Sequence, residues 1–326
     1  MRKHLTAIAL AAVWVAASGV AVAQPLPSRP ITIIVPFAAG GPSDVLARVL
    51  GERMRASLNQ TVIVENTTGA GGTIGVARAA RAPADGYTIS FGHLGTHVVN
   101  GAIYPLTFDL LNDLDPVGLV GANPMLIVSK NGVPAKDLKE LVAWIKANQA
   151  NVTFGTAGVG SGAHFSGLYL QNLIGTNARY VPYRGTGPAM QDLVAGQIDI
   201  IVDQASNSMP QVQGGKIRAY AVTDTKRLKV APDVPTVDEA GLPGFHVLLW
   251  SGMWVPKGTP KDVVDKLNAA LREALTDQGV LKRFGDLGLE AAAADQQSPE
   301  ALRAHQKAEA DKWWPIIKKA GVKPEG

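Results

Sequence analysis

A run of glycines stands between a predicted strand and a predicted helix in the segment ITIIVPFAAGGPSDVLARVLGERM, which begins at Ile31. Glycine lets the backbone approach a ligand closely, and the first turn of a helix offers free N–H groups with a partial positive charge. Together they are typical of an anion-binding site. A phosphate-binding P-loop would need a Lys after the glycines, whereas Pro42, Ser43 and Asp44 follow here. The pattern therefore indicates an anion site that does not bind a nucleoside triphosphate.

The order of strand, polar glycine-rich loop and helix recurs along the chain. The predicted strands cover residues 31–36, 61–65, 87–91, 152–154, 179–183 and 198–202. This alternation predicts an α/β fold with two mostly parallel sheets flanked by helices. Ligands bind at the carboxyl ends of the strands in open α/β sheets. Loops from both halves of the chain are therefore expected to surround one cleft.

The two halves are expected to form two lobes joined by a hinge. Segments 117–130 and 245–256 are predicted to cross between the halves, and the helical tail is expected to return to the first half. Domain one is accordingly predicted at residues 24–122 and 252–326, and domain two at residues 123–251. Gly175 is predicted to end one helix, and Ser298-Pro299-Glu300 to begin the last one.

The first 23 residues have the features of a secretory signal peptide. Arg2 and Lys3 precede an apolar run, and Ala21-Val22-Ala23 matches an A-x-A cleavage site. These two residues supply part of the net charge of +4, and no basic block with interleaved aromatic residues follows, so no nucleic-acid partner is expected. The chain contains no Cys, which excludes disulfides and lipid-modified cysteine.

Three other kinds of site fit the same loops less well. Segment 68–75 has GxGxxxG rather than the GxGxxG spacing of dinucleotide sites, and no acidic residue ends the next strand. Ser161 and His164 lack the G-x-S-x-G turn and an evident orienting acid of a hydrolase. His93, His97 and His164 lack the converging ligands of a metal site. A hydrogen bond to a carboxylate or water, or exposure to solvent, is left open for them. No metal or cofactor is expected.

Five segments of the sequence resemble the Bug-type receptors, the extracytoplasmic solute-binding proteins of tripartite tricarboxylate transporters. The segments, which span nearly the whole chain, are PSRPITIIVPFAAGGPSDVLAR, VENTTGAGGTIGVARAARAPADGYT, PYRGTGPAMQDLVAGQID, GGKIRAYAVTDTKRLKVAPDVPTVDEAGLPGF and VPKGTP. The resemblance implies a two-lobed periplasmic binding protein fold, a small organic carboxylate as ligand, and no catalysis. It also implies a periplasmic location and membrane permease subunits as partners. We expect a monomer.

The resemblance further implies which residues contact the ligand. Backbone groups and ordered water between loops of domain one are expected to hold a carboxylate group, and domain two is expected to close over it. The implied ligand-binding residues are Phe37, Ala39, Gly40, Gly41, Pro42, Gly69, Gly71, Gly72, Leu94, Gly95, Thr96, His97, Thr156, Ala157, Gly158, Ser161, His164, Arg184, Gly185, Thr186 and Asp203.

Several roles stay open at this level. Arg184 could bind a carboxylate or form an ion pair, and Asp203 could cap the next segment or engage a hydroxyl or amine of the ligand. Trp250 and Trp254 are expected in the hinge core, although an aromatic ligand would be favoured if they lined the cleft. The alternative functions are an exported hydrolase acting on a carboxylate ester and a carboxylate sensor with a signalling partner. The ligand class (aliphatic, amino-acid-like or aromatic) is also open.

Overall fold

A computed structural model describes residues 28–324, so the predicted signal peptide lies outside the described residues. The strands are β1 (Ile31–Val35), β2 (Val62–Asn66), β3 (Thr88–His93), β4 (Leu114–Lys130), β5 (Thr153–Thr156), β6 (Arg179–Pro182), β7 (Ile200–Gln204), β8 (Ile217–Val222), β9 (Leu248–Pro256) and β10 (Glu290–Ala291). The α-helices are α1 (Pro42–Leu58), α2 (Thr73–Ala80), α3 (Asn100–Ile103), α4 (Leu138–Asn148), α5 (Gly162–Ile174), α6 (Thr186–Val194), α7 (Ala205–Gln213), α8 (Lys261–Thr276), α9 (Gln278–Asp286) and α10 (Pro299–Ala320). Within residues 28–324, no helix has both the length and the apolar character needed to cross a membrane.

The first sheet is built around three parallel strands in the order β2-β1-β3. Helix α1 connects β1 to β2, and α2 connects β2 to β3, as parallel pairing requires. Ile31, Ile33 and Val35 of β1 pack in one core cluster with Leu46 and Leu50 of α1. The apolar face of α1 therefore packs on one face of this sheet.

The second sheet repeats the pattern with parallel strands in the order β6-β5-β7. Helix α5 connects β5 to β6, and α6 connects β6 to β7. The N-cap of α5 is Ser161, and its C-cap is Gly175 in the left-handed conformation with φ 69°. The predicted helix end at Gly175 is confirmed, because that conformation favours glycine.

Strand β4 belongs to both sheets. Its residues Leu114–Pro124 pair antiparallel with β9 in the first sheet, and Met125–Ser129 pair antiparallel with β7 in the second. The two predicted crossing strands are thus present. Because β4, β8, β9 and β10 all pair antiparallel, parallel pairing is limited to three strands at one end of each sheet, and both sheets are mixed. We call each sheet with its helices a lobe, numbered first and second.

The C-terminal helix α10 contacts both lobes. It begins at the predicted N-cap, Ser298, whose hydroxyl accepts the N–H of Ala301. Trp254 of β9 donates to Gln306 Oε1 at 3.1 Å. Trp313 packs edge-on against Phe165 of α5, with ring centroids 4.7 Å apart. The tail therefore rests on the second lobe as well as on the first.

Candidate functional site

A small cavity lies between the two lobes, at the carboxyl ends of β1, β3, β5 and β7. Residues from both lobes line it, so neither lobe forms it alone. The lining residues are Phe37, Gly41, Pro42, Ser43, His93, Met125, Ala157, Ser161, Gly162, Ala163, Thr186, Asp203 and Gln204. This is the place in the fold where α/β sheets hold their ligands.

Four helices begin at the wall of this cavity. Helix α1 begins at Pro42, α5 at Gly162, α6 at Thr186, and α7 directly after its N-cap Gln204. Each helix start carries backbone N–H groups without a partner in the helix and a partial positive charge. Of the described residues that line the cavity, none is Lys or Arg. The positive potential there comes from the backbone, which suits a negatively charged group.

The loop before α1 is held in place by Asp44. One carboxylate oxygen, Oδ2, accepts the N–H of Gly40 at 2.9 Å, and the other accepts from Asn66 Nδ2 at 3.0 Å. Burial by itself would raise the pKa of Asp44, but hydrogen bonds from Arg48, Gly40 and Asn66 hold it below its usual value. The N–H of Gly40, which the sequence assigned to the anion site, is therefore used inside the protein.

His93 is the last residue of β3 and forms part of the cavity wall. Its Nδ1 accepts the N–H of Gly95 at 3.0 Å, and Phe37 stacks on the ring with centroids 5.3 Å apart. Burial lowers the pKa of His93 to about 4, so the ring is neutral near pH 7 and carries its proton on Nε2. His93 thus has one N–H to donate without adding a positive charge.

The side chain of His97 is fully buried and does not line the cavity. Its ring stacks on Trp254 with centroids 3.8 Å apart. The ring nitrogens lie 3.2 Å from Ser90 Oγ and 2.9 Å from Thr96 Oγ1. Burial holds the pKa of His97 well below its usual value. The partners of His97 are therefore all within the protein core, and His93 is the histidine at the cavity.

Asp203 and Gln204 end β7 at the cavity wall, and both side chains are more than nine-tenths buried. Asp203 Oδ2 accepts from Asn207 Nδ2 at 2.6 Å and from Ser208 Oγ at 2.9 Å, which fixes the first turn of α7. Within residues 28–324, Asp203 Oδ1 and Gln204 Nε2 have no hydrogen-bond partner. Burial raises the pKa of Asp203 to about 6, against the lowering effect of its hydrogen bonds. One carboxylate oxygen thus bonds two side chains of α7 rather than capping the helix, while the other has no partner among the described residues.

Ser161 and His164 hold the start of α5. The Ser161 hydroxyl accepts the backbone N–H of His164 at 3.3 Å, and the imidazole of His164 accepts the N–H of Gly160 at 3.4 Å. The ring of His164 lies at 4.9 Å from that of Tyr180, and burial lowers its pKa to about 4. A hydrolase would need the hydroxyl bonded to the imidazole, and both groups are instead bonded to the backbone.

The loops of the two lobes touch beside the cavity. Ala38 N–H donates to the carbonyl of Arg184 at 2.9 Å, and the Tyr104 hydroxyl donates to the carbonyl of Val159 at 3.0 Å. Gly71 makes this approach possible, because a Cβ there would lie 2.0 Å from Val159 O. The lobes are therefore closed on each other along one side of the cavity.

A wider groove between the lobes, here called the side groove, adjoins this contact. Its lining residues are Gly69, Ala70, Gly71, Tyr104, Ala157, Gly158, Val159, Pro182, Tyr183, Arg184 and Pro188. It shares Ala157 with the cavity. The side chain of Arg184 is exposed there, and none of the ion pairs within residues 28–324 includes it. The ion-pair role considered for Arg184 is thus not seen among those residues, and Arg184 does not line the cavity.

The structure brings only part of the predicted site together. At the cavity lie Phe37, Gly41, Pro42, Ala157, Ser161, Thr186 and Asp203. In the side groove lie Gly69, Gly71, Gly158 and Arg184, in another surface groove Ala39 and Gly40, and in a separate apolar cavity His164. The residues that are buried and line none of these spaces are Gly72, Leu94, Gly95, Thr96, His97, Thr156 and Gly185.

The list of implied ligand-binding residues omitted six of the cavity residues, although His93 was considered as a possible hydrogen-bond donor to a carboxylate. They are Ser43, His93, Met125, Gly162, Ala163 and Gln204. Most of them are the last residue of a strand or lie in the first turn of a helix. A prediction of strand and helix ends that was more accurate by one or two residues would therefore have identified them. In the part of the chain that the structure describes, no group of three His, Cys, Asp or Glu side chains is placed to hold a metal ion.

Comparison with known sequences gives one family. The profile described as tripartite tricarboxylate transporter family receptor matches residues 46–322. An Agrobacterium vitis protein, the UPF0065 protein in the TAR-I ttuE-ttuC' intergenic region, is 44% identical over 296 residues, which are 90% of this chain and 85% of that protein.

Comparison with solved structures gives the same result for the fold. Periplasmic binding protein BugD is 44% identical, with a TM-score of 0.88 over 91% of this chain and 99% of that one. MatC from Rhodopseudomonas palustris, solved with bound malate, is 40% identical, with a TM-score of 0.87 over 89% of this chain and 99% of that one. The two-lobed α/β arrangement described above is thus a periplasmic binding protein fold, and the chain belongs to the receptor family of the tripartite tricarboxylate transporters.

Proposed function

We propose that this protein is a periplasmic receptor that captures a small organic carboxylate in the cavity between its lobes. The observation that carries the proposal is the convergence of four helix starts on a cavity whose described lining residues include no Lys or Arg. Backbone N–H groups bind a carboxylate through charge-assisted hydrogen bonds, each stabilising the complex by about 1.5–3 kcal/mol. His93 Nε2 adds one neutral donor to this set.

The family and its ligand-bound members support the substrate class. MatC, which shares the fold and 40% of its residues with this chain, was solved with malate, a small carboxylate. Membership in the transporter receptor family supports delivery of the ligand to membrane permease subunits. We propose that the receptor acts as a monomer in this step.

Capture would proceed by closure of the lobes about β4 and β9. β4 passes from the first sheet to the second between Pro124 and Met125, and β9 lies beside it. The proposed division is domain one at residues 24–122 and 252–326 and domain two at residues 123–251, and β4 changes sheets within two residues of the first of these limits. The contacts of Ala38 with Arg184 and of Tyr104 with Val159 would form only on closure. They are the kind of contact that a hinge motion makes and breaks.

A binding role fits the polar groups at the cavity better than catalysis does. The hydroxyl of Ser161 and the imidazole of His164 are bonded to backbone N–H groups rather than to each other. Asp203 is held through one oxygen by Asn207 and Ser208. None of these side chains is paired with a second one as nucleophile and base.

A thermal-shift screen against short mono- and dicarboxylates tests the proposal. The full chain is unfolded, dialysed and refolded first, so that any copurified ligand is removed. A ligand that binds only the native state raises the melting temperature, and at 100 times its Kd it stabilises the protein by about 2.7 kcal/mol. We expect a shift with at least one carboxylate and none with its uncharged diamide.

A matched variant links the shift to the cavity. His93→Gln keeps a donor near Nε2 but removes the neutral ring beside Phe37, so we expect weaker binding in a protein that still folds. A refolded wild-type protein that responds to no carboxylate, or equally to acids and diamides, contradicts the receptor proposal.

A further inference from the structure

Two neighbouring polar groups at the cavity lack partners. They are Asp203 Oδ1 and Gln204 Nε2, and both belong to side chains that line the cavity. Asp203 is 0% exposed and Gln204 is 5% exposed, so bulk water does not reach them freely. A buried polar group without a partner destabilises a protein by about 1–3 kcal/mol. Two such groups at one wall point to a ligand group that pairs with both.

The carboxylate of Asp203 is held in one orientation. Its Oδ2 accepts from Asn207 Nδ2 at 2.6 Å and from Ser208 Oγ at 2.9 Å. Rotation of the side chain would break both bonds, so Oδ1 cannot turn to another partner without loss. Gln204 is the N-cap residue of α7, and its backbone position is fixed by the same turn. The acceptor of Asp203 is therefore pre-organised before a ligand arrives, and the amide of Gln204 extends from a fixed backbone position.

The two groups need different hydrogen-bonding partners in the ligand. A carboxylate oxygen only accepts, and an amide NH₂ only donates. An ammonium group would pair with Asp203 but not with the donor of Gln204. A carboxylate group would pair with the donor of Gln204 and be repelled by Asp203. A hydroxyl donates one hydrogen bond and accepts others, so it is the ligand group that pairs with both.

We infer that the ligand is a hydroxycarboxylate, with its hydroxyl between Asp203 Oδ1 and Gln204 Nε2 and a carboxylate at the helix starts. The inference rests on the proposed function and specifies its substrate class. Asp203 and Gln204 become the residues that select for the hydroxyl, whereas the helix starts of α1, α5 and α6 supply attraction for any acid. Selectivity and charge attraction thus come from different parts of the cavity wall.

Isothermal titration of the refolded full chain at about pH 8 with matched acids tests the inference. The probes are the two enantiomers of malate, succinate as the acid without a hydroxyl, and aspartate as the acid with an ammonium group. Lactate and propionate form a shorter pair. A site built to bond a substrate hydroxyl rejects the analogue without it by a large factor. We expect one hydroxy acid to bind at least tenfold more tightly than both its deoxy and its amino analogue.

Variants assign the preference to the two side chains. Asp203→Asn can replace the acceptor by an NH₂ donor, and Gln204→Leu removes the donor, so we expect either change to bring the hydroxy-to-deoxy affinity ratio to within about threefold of one. Asp199→Asn is the matched control. Asp199 precedes the same strand, pairs with Lys130 at 2.7 Å and bonds Thr153, and it does not line the cavity. This variant should keep the wild-type ratio.

The possible outcomes distinguish failure of the hydroxyl inference from failure of the receptor proposal on which it rests. Binding of succinate or aspartate as tightly as malate, with lactate no better than propionate, overturns the hydroxyl inference and leaves the receptor proposal standing. A hydroxyl preference that survives Asp203→Asn and Gln204→Leu, with both variants folded by circular dichroism, also overturns it. Failure of the refolded protein to bind any of the acids contradicts the receptor proposal and removes the inference with it.

Discussion

Replacing Asp203 by Asn should stabilise the ligand-free protein at neutral pH, although Asp203 lies at the candidate site. Its side chain is fully buried, and burial raises its pKa from 3.8 to about 6. The ionised carboxylate therefore destabilises the fold, because a charge is more costly inside the protein than in the unfolded chain. Asn has nearly the same shape, can accept the bonds of Asn207 and Ser208 through its oxygen, and has no charge to bury.

The size of the effect follows from the change in pKa. Each unit is equivalent to 1.36 kcal/mol, so the difference between 3.8 and about 6 corresponds to about 3 kcal/mol. The native pKa lies above the unfolded one, so between these values the native state holds a proton that the unfolded chain has lost. The stability associated with Asp203 is therefore full below about pH 3.8 and is lost as the pH rises through about 6. The amide side chain of Asp203→Asn has no proton to lose in this range, so the variant does not lose stability in this way.

The assay is urea unfolding of both proteins, without ligand, at about pH 4 and about pH 8. Other titrating groups, His93 among them, are common to both proteins and cancel in the difference between them. We expect the free energy of unfolding of Asp203→Asn, relative to wild type, to be about 2–3 kcal/mol larger at pH 8 than at pH 4, since a small part of the effect is already present at pH 4. Any fixed effect of the amide on packing is the same at both pH values. A difference that does not change with pH refutes the reasoning, since Asp203 would then have no raised pKa in the native state.

Three further changes test the contact between the lobes and the core behind it. Gly71→Ala should block closure, because its Cβ would lie 2.0 Å from Val159 O, and small-angle scattering should then show no ligand-induced decrease in the radius of gyration. Tyr104→Phe should weaken ligand binding by roughly threefold to tenfold in titration calorimetry, since it removes one hydrogen bond to Val159, and unchanged affinity would argue against this contact in the bound state. Gln306→Leu should lower the free energy of unfolding, measured in urea, by about 2–4 kcal/mol, because Trp254 and two backbone carbonyls lose their buried partner. A loss below about 0.5 kcal/mol, which is typical of a substitution at the protein surface, would contradict this prediction.

Much of the fold could be predicted because it is encoded locally. Strands rich in Ile and Val, loops rich in Gly and amphipathic helices identify the α/β alternation, and the helix limits at Gly175 and Ser298 follow from capping chemistry. The antiparallel pairing of β4 with β9 could not be read in this way. It depends on two segments more than a hundred residues apart, and nothing local to either one specifies the direction of the other.

The candidate site was predicted less well than the fold, for two physical reasons. Side chains of one loop point in different directions. Assigning a whole loop to the ligand site therefore also includes residues such as His97, whose ring lies in the core and stacks on Trp254. Residues within a loop also bond each other: Asp44 takes the N–H of Gly40, which sequence reasoning had left free for a ligand. Gly41 lines the cavity, yet a Cβ there would meet its nearest atoms at 3.5 Å, so close approach does not by itself require glycine at this position.

In the proposed site, different groups attract the anion and discriminate between ligands, which explains why the sequence indicates an anion site but not its selectivity. Attraction for an anion comes from the backbone of helix starts, and the Gly, Pro and Ser residues that make such turns are visible in any sequence. In the proposed site, discrimination depends on whether Asp203 Oδ1 and Gln204 Nε2 lack partners, which only the side-chain positions in the folded protein reveal. Because helix starts attract anions whatever the side chains beside them, substitution at Asp203 and Gln204 should change which acid is preferred more than it changes the binding of acids as a class.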